Sequence, residues 1–123
     1  MVTEKPFVGC VRWLSVLAGV LISAVSAAEY PDRPVRMIVG FAAGGGADIL
    51  GRMAAKGLVD RWGQNFIVEN RPGGDASIAA ATVARADPDG YTLLVTTSAL
   101  TITPAFQEQP FHPINSFEPI VVM

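Results

Sequence analysis

The periodicity of hydrophobic and polar positions changes several times along the chain, and each change predicts a different element. Residues 34–41 form a short apolar run rich in β-branched side chains, typical of a buried strand. Residues 47–62 repeat apolar side chains at helical spacing, and Gly63 follows as a stop signal. The predicted core-facing side chains of this helix are Leu50, Met53, Ala54, Leu58 and Trp62, opposite the charged residues Arg52, Lys56 and Asp60.

The alternation of strand and helix continues downstream. The pattern predicts a strand at 66–68, a turn at 70–74, a helix at 77–86, a turn at 87–90 and a strand at 91–97. The secondary structure of residues 98–107 is ambiguous from the sequence, since Pro104 limits any helix there. Residues 119–123 are predicted to form a fourth strand. This order predicts an α/β fold with a mainly parallel sheet, right-handed crossovers and flanking helices.

The first 28 residues follow a different pattern. Lys5 and Arg12 precede an uncharged run at 13–25, and small residues end with Ala27 and Ala28. This arrangement predicts a secretory signal peptide cleaved near Ala27 or Ala28, and therefore a periplasmic protein. The alternative, a membrane anchor, is disfavoured because the run is shorter than the roughly 20 residues that a bilayer span requires.

Composition and charge exclude several classes of protein. The 123 residues are 50% hydrophobic and 16% charged, which argues against disorder. The net charge of −2, without a basic stripe, argues against nucleic-acid binding. One Cys excludes an internal disulfide, and one His excludes a histidine-cluster metal site. We therefore expect no metal and no cofactor.

The glycine-rich segment 44–46 is the sharpest chemical feature of the sequence. It lies between the end of a predicted strand and the start of a helix, where open α/β sheets bind ligands. Free backbone N–H groups at a helix start attract carboxylate or phosphate, and Asp48 is placed as an N-cap or first-turn residue. The alternative is a tight turn without a ligand. The segment matches neither a dinucleotide fingerprint nor a P-loop.

Enzymatic constellations are poor in this sequence. It contains no G-x-S-x-G elbow, and the expected mature part contains no Cys nucleophile. His112 is predicted to be a solvated loop residue, and Asp87 and Asp89 belong to a predicted turn. Thr96, Thr97 and Ser98 end the third predicted strand on the same side as the glycines, either to contact a ligand or to cap the strand. We predict a binding protein and not an enzyme.

Four segments together resemble the Bug family of periplasmic solute-binding proteins, the TctC-like receptors of tripartite tricarboxylate transporters. They are YPDRPVR at 30–36, FAAGGGAD at 41–48, VENRPG at 68–73 and DPDGYTLL at 87–94. The resemblance implies a periplasmic-binding-protein-like (Venus flytrap) fold, in which two α/β domains close on a small organic carboxylate. It also implies delivery of that ligand to membrane transporter subunits or to a sensor.

The resemblance further implies which residues form the ligand site. One wall is expected to come from Phe41, Gly44, Gly45, Gly46 and Asp48, with Asp48 organising the loop because two carboxylates would repel each other. The neighbouring strand is expected to contribute Thr97, Ser98 and Ala99.

The length of the chain sets a further expectation. Residues 29–123 are expected to be the N-terminal part of solute-binding domain 1 in a truncated chain. Two alternatives stay open from the residues alone: a small exported α/β hydrolase-like enzyme, and a non-functional truncated remnant.

Overall fold

A computed structural model describes residues 29–123, which form a three-stranded sheet with helices on both faces. The predicted signal peptide lies outside the described residues. The principal elements, in chain order, are β1 (Val35–Val39), α1 (Gly46–Trp62), β2 (Phe66–Asn70), α2 (Ser77–Ala84) and β3 (Thr92–Val95). A short helix, α3 (Ala99–Ile102), and a 3₁₀ turn (Thr103–Ala105) follow, where the sequence pattern was ambiguous.

The sheet has the order β2-β1-β3, and both pairs of neighbours are parallel. Val35 of β1 lies opposite Phe66 of β2, and Met37 lies opposite Leu93 of β3. The chain moves from β1 outward to β2 and then crosses back past β1 to β3. The carboxyl ends of all three strands therefore meet at one edge, which confirms the predicted α/β fold with a parallel sheet.

Each face of the sheet has its own buried layer. Val35, Met37 and Val39 point to one face, where they pack with Phe66 of β2 and with Ala55 of α1. Because strand side chains alternate, Ile38 points to the other face. There α2 contacts β1 and β3, and its buried alanines complete the second layer: Ala76, Ala79 and Ala80.

The predicted buried face of α1 is wrong in part. Leu50, Met53 and Trp62 are 46%, 66% and 45% exposed, whereas Gly51 and Ala55 are buried. Small residues face the sheet because α1 lies close to it: a Cβ added to Gly51 would lie 3.3 Å from Val39 Cγ2. The predicted stripe is thus rotated about the helix axis. Two of its members do pack against the core, Ala54 and Leu58.

The end of α1 is as predicted. Gly63 adopts the left-handed conformation (φ 70°), and its N–H donates to the Val59 carbonyl at 2.8 Å. This is the usual helix stop, since glycine takes a positive φ without steric cost. Other boundaries differ by a few residues. β2 continues to Asn70, which the sequence placed in a turn, because the parallel ladder with β1 extends to Val39 opposite Asn70.

The predicted fourth strand at 119–123 does not form. This segment has no strand structure, and Ile120, Val121, Val122 and Met123 are between 64% and 98% exposed. A β-branched run becomes a strand only where a neighbouring strand pairs with its backbone, and within residues 29–123 none does so. Among these residues, no helix combines the length and the hydropathy that crossing a bilayer requires.

The segment before β1 is held at the amino-terminal edge of the sheet. Tyr30 donates its hydroxyl hydrogen to the Gly90 carbonyl (2.8 Å) and packs edge-on against Trp62 and Tyr91. Arg33 pairs with Asp89 at 2.6 Å and lies 4.2 Å from the Tyr91 ring centre. These contacts connect the YPDRPVR and DPDGYTLL segments, at the edge opposite the glycine-rich loop.

Candidate functional site

The loop between β1 and α1 lies at the carboxyl edge of the sheet. Gly44 has a positive φ of 83°, and the Gly45 N–H closes a turn by donating to the Ala42 carbonyl at 3.2 Å. Gly45 is the N-cap of α1, and Gly46 is its first residue. Gly46 is exposed, and a Cβ added to it would meet no atom within 4 Å. The start of the helix is therefore open to a small molecule.

Asp48 organises this loop from inside the first turn of α1. It is only 3% exposed. Its Oδ2 accepts from the Gly44 N–H at 2.8 Å and from Arg52 Nε at 3.0 Å, and its Oδ1 accepts from Asn70 Nδ2 at 2.9 Å. These hydrogen bonds, led by the one from Arg52, lower the pKa of Asp48 to about 2. Asp48 is thus a first-turn residue whose charge is already balanced.

Asn70, at the end of β2, is the site residue that sequence reasoning missed. Its Nδ2 donates to the Phe41 carbonyl at 3.0 Å as well as to Asp48, and its Oδ1 accepts from Arg52 Nη2 at 3.1 Å. One amide therefore connects the first residue of the loop with both members of the ion pair. The sequence feature that could have indicated a role for Asn70 is a short polar side chain at the carboxyl end of a strand.

The donors that remain at the start of α1 are backbone N–H groups. A helix leaves the N–H groups of its first turn without internal acceptors, here those of Gly46, Ala47 and Asp48. They carry the positive end of the dipole of a 17-residue helix. Because Arg52 neutralises Asp48, these neutral donors are not opposed by a free negative charge beside them.

The second predicted segment follows β3, the strand next to β1. Thr97 Oγ1 accepts from the Ala99 N–H at 3.3 Å, and the Ser98 carbonyl accepts from the Ile102 N–H at 3.0 Å, so both residues lead into α3, with Ser98 as its N-cap. Within residues 29–123, no hydrogen bond joins this segment to the glycine-rich loop. The two segments share an edge of the sheet without direct contact through hydrogen bonds.

Two buried hydroxyl groups belong to residues near the carboxyl edge of the sheet. Thr96 Oγ1, just after β3, and Ser77 Oγ, at the start of α2, have no hydrogen-bond partner among the described residues. A buried hydroxyl without a partner is uncommon in folded proteins. Both belong to segments that follow or face the carboxyl ends of the strands.

The side chain of Phe41 belongs to the packing of the hydrophobic core. The ring packs against the core on the α1 side, so only the backbone of this residue takes part in the loop contacts. Two surface depressions of about 290 Å³ each lie elsewhere, one along α1 and β2 and the other beside Tyr30 and Trp62. Neither depression is lined by residues of the glycine-rich loop.

Other candidate chemistry has ordinary structural explanations. His112 is exposed, and its Nδ1 accepts from the N–H groups of Ile114 and Asn115 at 3.2 Å each. Among residues 29–123, no three His, Cys, Asp or Glu side chains converge in a way that would hold a metal ion. Arg71 lies 3.6 Å from Glu69, which also pairs with Arg36.

Comparison with known proteins identifies the family of the chain. Residues 50–123 match the model of the tripartite tricarboxylate transporter family receptor, TctC. This chain belongs to that family. The TctC match begins within α1 and continues to the last residue, so it includes Asn70 and the segment after β3.

A relative and a solved structure each match a larger share of this chain than the family model does. A UPF0065 protein of Bordetella pertussis is 37% identical over 118 residues, which cover 94% of this chain and 36% of that protein. A structure described as a periplasmic transporter is 41% identical, with a TM-score of 0.66 over 69% of this chain and 29% of its own. The chain thus spans about a third of the length of its TctC relatives.

Two further structures were solved with ligands. MatC of Rhodopseudomonas palustris, with bound malate, is 31% identical, with a TM-score of 0.59 over 68% of this chain and 29% of its own. Rpa4515 of R. palustris, with adipate, is 39% identical, with a TM-score of 0.58 over 58% of this chain and 24% of its own. Malate and adipate are both dicarboxylates.

Proposed function

We propose that this TctC-family chain binds a small organic carboxylate at the start of α1 and serves as part of an extracytoplasmic solute-binding receptor. The observation that carries the proposal is the exposed Gly46 at the first position of α1, close to an Asp48 whose carboxylate is already satisfied by Arg52 and Asn70. The dicarboxylates in the two ligand-bound relatives support the choice of ligand class.

The chemistry of the loop favours a carboxylate over a neutral ligand. Three first-turn N–H groups and the helix dipole stabilise one negative charge, each such interaction being worth about 0.3–1 kcal/mol when exposed. A nearby free carboxylate would oppose this, but Asp48 is engaged by Arg52 and by the Gly44 N–H. We assign Gly44, Gly45 and Gly46 to close backbone approach, and Thr97, Ser98 and Ala99 to the opposite side of the ligand.

The remaining parts of the receptor proposal rest on the sequence and the family. We propose export to the periplasm through a signal peptide at residues 1–28, cut near Ala27 or Ala28. We further propose that the bound acid passes to membrane transporter subunits or to a sensor, and that residues 29–123 supply part of solute-binding domain 1. The chain is proposed to bind its ligand without transforming it.

The first test removes one donor from the site and leaves the helix intact. Proline is favoured at the first position of a helix, and the extended backbone of Gly45 (φ −77°, ψ 167°) is compatible with a following proline. We expect Gly46→Pro to weaken binding of malate and adipate by about fivefold or more, as loss of about 1 kcal/mol implies. Isothermal titration calorimetry on the full chain gives the affinities.

Gly46→Ala is the matched control, because it adds a Cβ into open space but keeps the N–H. We expect it to bind both acids as the unmodified chain does, and both variants to keep its melting temperature. Equal affinities for the proline and alanine variants would show that the Gly46 N–H does not contact the ligand. If the unmodified chain binds neither acid, the proposed ligand class is wrong for this chain.

A further inference from the structure

We propose that Ala76 is a positioning residue of the carboxylate site, because its methyl group determines where the chain leaves β1 and enters the glycine-rich loop. The inference rests on the proposed function, since it concerns the same loop. Ala76 immediately precedes α2 and is not itself one of the predicted site residues. It acts through Gly40, which connects β1 to Phe41.

Gly40 is required by space and not by backbone conformation. It is buried, and its N–H donates to the Val95 carbonyl at 3.2 Å. Its φ is not positive, so other residues could adopt the same backbone. A Cβ at this position, however, would overlap Ala76 Cβ and lie 3.0 Å from Ala76 Cα. The Ala76 methyl therefore occupies the space that a side chain at position 40 would need.

Ala76 holds this position in a strained conformation. Its φ of 69° lies in the left-handed region that disfavours any residue with a Cβ, and the preceding Asp75 has a φ of 49°. Such conformations persist only where the surroundings hold them. Ala76 is 2% exposed, and its carbonyl accepts from the Ala80 N–H at 2.9 Å. The contact with Gly40 is part of what holds it.

The consequence falls on the glycine-rich loop. Gly40 is contacted by Ala76 from the α2 side, and the next residue, Phe41, is held by Asn70 Nδ2 at its carbonyl. The position of the start of the loop is thus held by two contacts, one from Ala76 and one from Asn70. Asp48 then connects Asn70 with the Gly44 N–H. A shift of Gly40 is therefore transmitted to the N–H groups proposed to bind the carboxylate.

The test compares four variants of the full chain: Ala76→Gly, Gly40→Ala, the double variant, and Ala80→Gly as control. Ala80 is a buried alanine of α2, but it makes no close approach to a Cβ at Gly40. Three quantities are measured: the melting temperature, the amide resonances of Gly44, Gly45 and Gly46 in nitrogen-15 spectra, and the dissociation constant for malate.

We expect Ala76→Gly to keep the melting temperature, because it relieves the positive φ, but to shift the three glycine resonances and weaken malate binding by about fivefold. Ala80→Gly should lower the melting temperature without moving those resonances or the affinity. Gly40→Ala should lower the melting temperature, and adding Ala76→Gly to it should restore the loss.

Two results would overturn the proposal. Unmoved glycine resonances in Ala76→Gly would mean that the methyl does not position the loop. A double variant no more stable than Gly40→Ala would mean that the two residues are not coupled. If the unmodified chain binds no malate, the proposed function fails. The glycine resonances of Ala76→Gly and the melting temperature of the double variant still decide the role of Ala76.

Discussion

At the residue scale, Asp48 shows how a buried acid is made compatible with an anion site. Its two oxygens accept from a loop N–H, a guanidinium and an amide, so the carboxylate is neutralised before any ligand arrives. The same bonds lower its pKa to about 2. Asp48 therefore contributes to the stability of the loop, while the first-turn N–H groups of α1 keep no acceptor within the helix.

The lowered pKa of Asp48 predicts a pH dependence. Its pKa in the unfolded chain is about 3.9, so its stabilising contribution is complete above that pH and is lost as the pH falls toward 2. We expect Asp48→Asn to lower the melting temperature at pH 7, and the gap between variant and unmodified chain to close between pH 4 and about 2. Thermal melts across this range measure the gap.

Asp60→Asn is the control for this measurement. Asp60 also pairs with a residue of α1, Lys56 at 2.9 Å, but both side chains are exposed, and such pairs contribute little. We expect its melting temperature to stay close to that of the unmodified chain at every pH. A gap for Asp48→Asn that stays constant down to pH 2 would contradict the electrostatic role of the ionised group.

At the scale of the element, α1 shows why spacing alone does not determine a buried face. The helix carries apolar side chains on more than one side, and the bulky ones at Leu50 and Met53 turn to solvent. Gly51 and Ala55 face the sheet instead, because only small side chains fit the short distance to Val39 and Val95. The face of α1 that packs on the sheet is therefore the one whose small side chains allow the helix to lie closest to the strands.

This orientation predicts opposite outcomes at two neighbouring positions. Gly51→Leu should destabilise the fold by about 1–3 kcal/mol, because the new side chain has no room beside Val39. Met53→Lys should change stability by about 0.5 kcal/mol or less, since Met53 is exposed. Urea unfolding of both variants tests the orientation. The reverse order of stabilities would restore the stripe predicted from the sequence.

At the scale of the whole molecule, the two edges of the sheet hold different groups of residues. The carboxyl edge holds the glycine-rich loop, Asn70 and the segment after β3. The amino-terminal edge holds the aromatic and charged contacts among Tyr30, Arg33, Asp89 and Tyr91. All three strands are parallel, so the sheet itself keeps these two groups of residues apart.

This separation predicts that changes at the amino-terminal edge affect stability alone. Arg33→Ala removes an exposed ion pair with Asp89 and the contact with the Tyr91 ring, at a cost of about 1 kcal/mol or less. We expect the malate affinity of this variant to stay within about twofold of the unmodified chain. A loss as large as that of Gly46→Pro would mean that the two edges are coupled.

The amino-acid sequence alone was sufficient to predict the order of the elements from β1 to β3, the parallel α/β class and the place of the glycine-rich loop. These features depend on local signals: apolar period, glycine and proline positions, and turn residues such as those at 87–90. Asp48 could be placed in the first turn of α1 for the same reason. Helix starts and stops depend on residues within one turn of each other, so a linear pattern contains them.

Which surfaces of the elements meet became clear from the three-dimensional packing alone. Asn70 joins the loop because β2 pairs with β1 in a register that brings it beside Phe41 and Asp48. Gly40 and Ala76 are matched although 36 positions separate them in the sequence. Residues 119–123 have strand-forming side chains but pair with no strand of the described sheet. In each case the deciding interaction is a long-range contact, and side-chain periodicity cannot specify the partner.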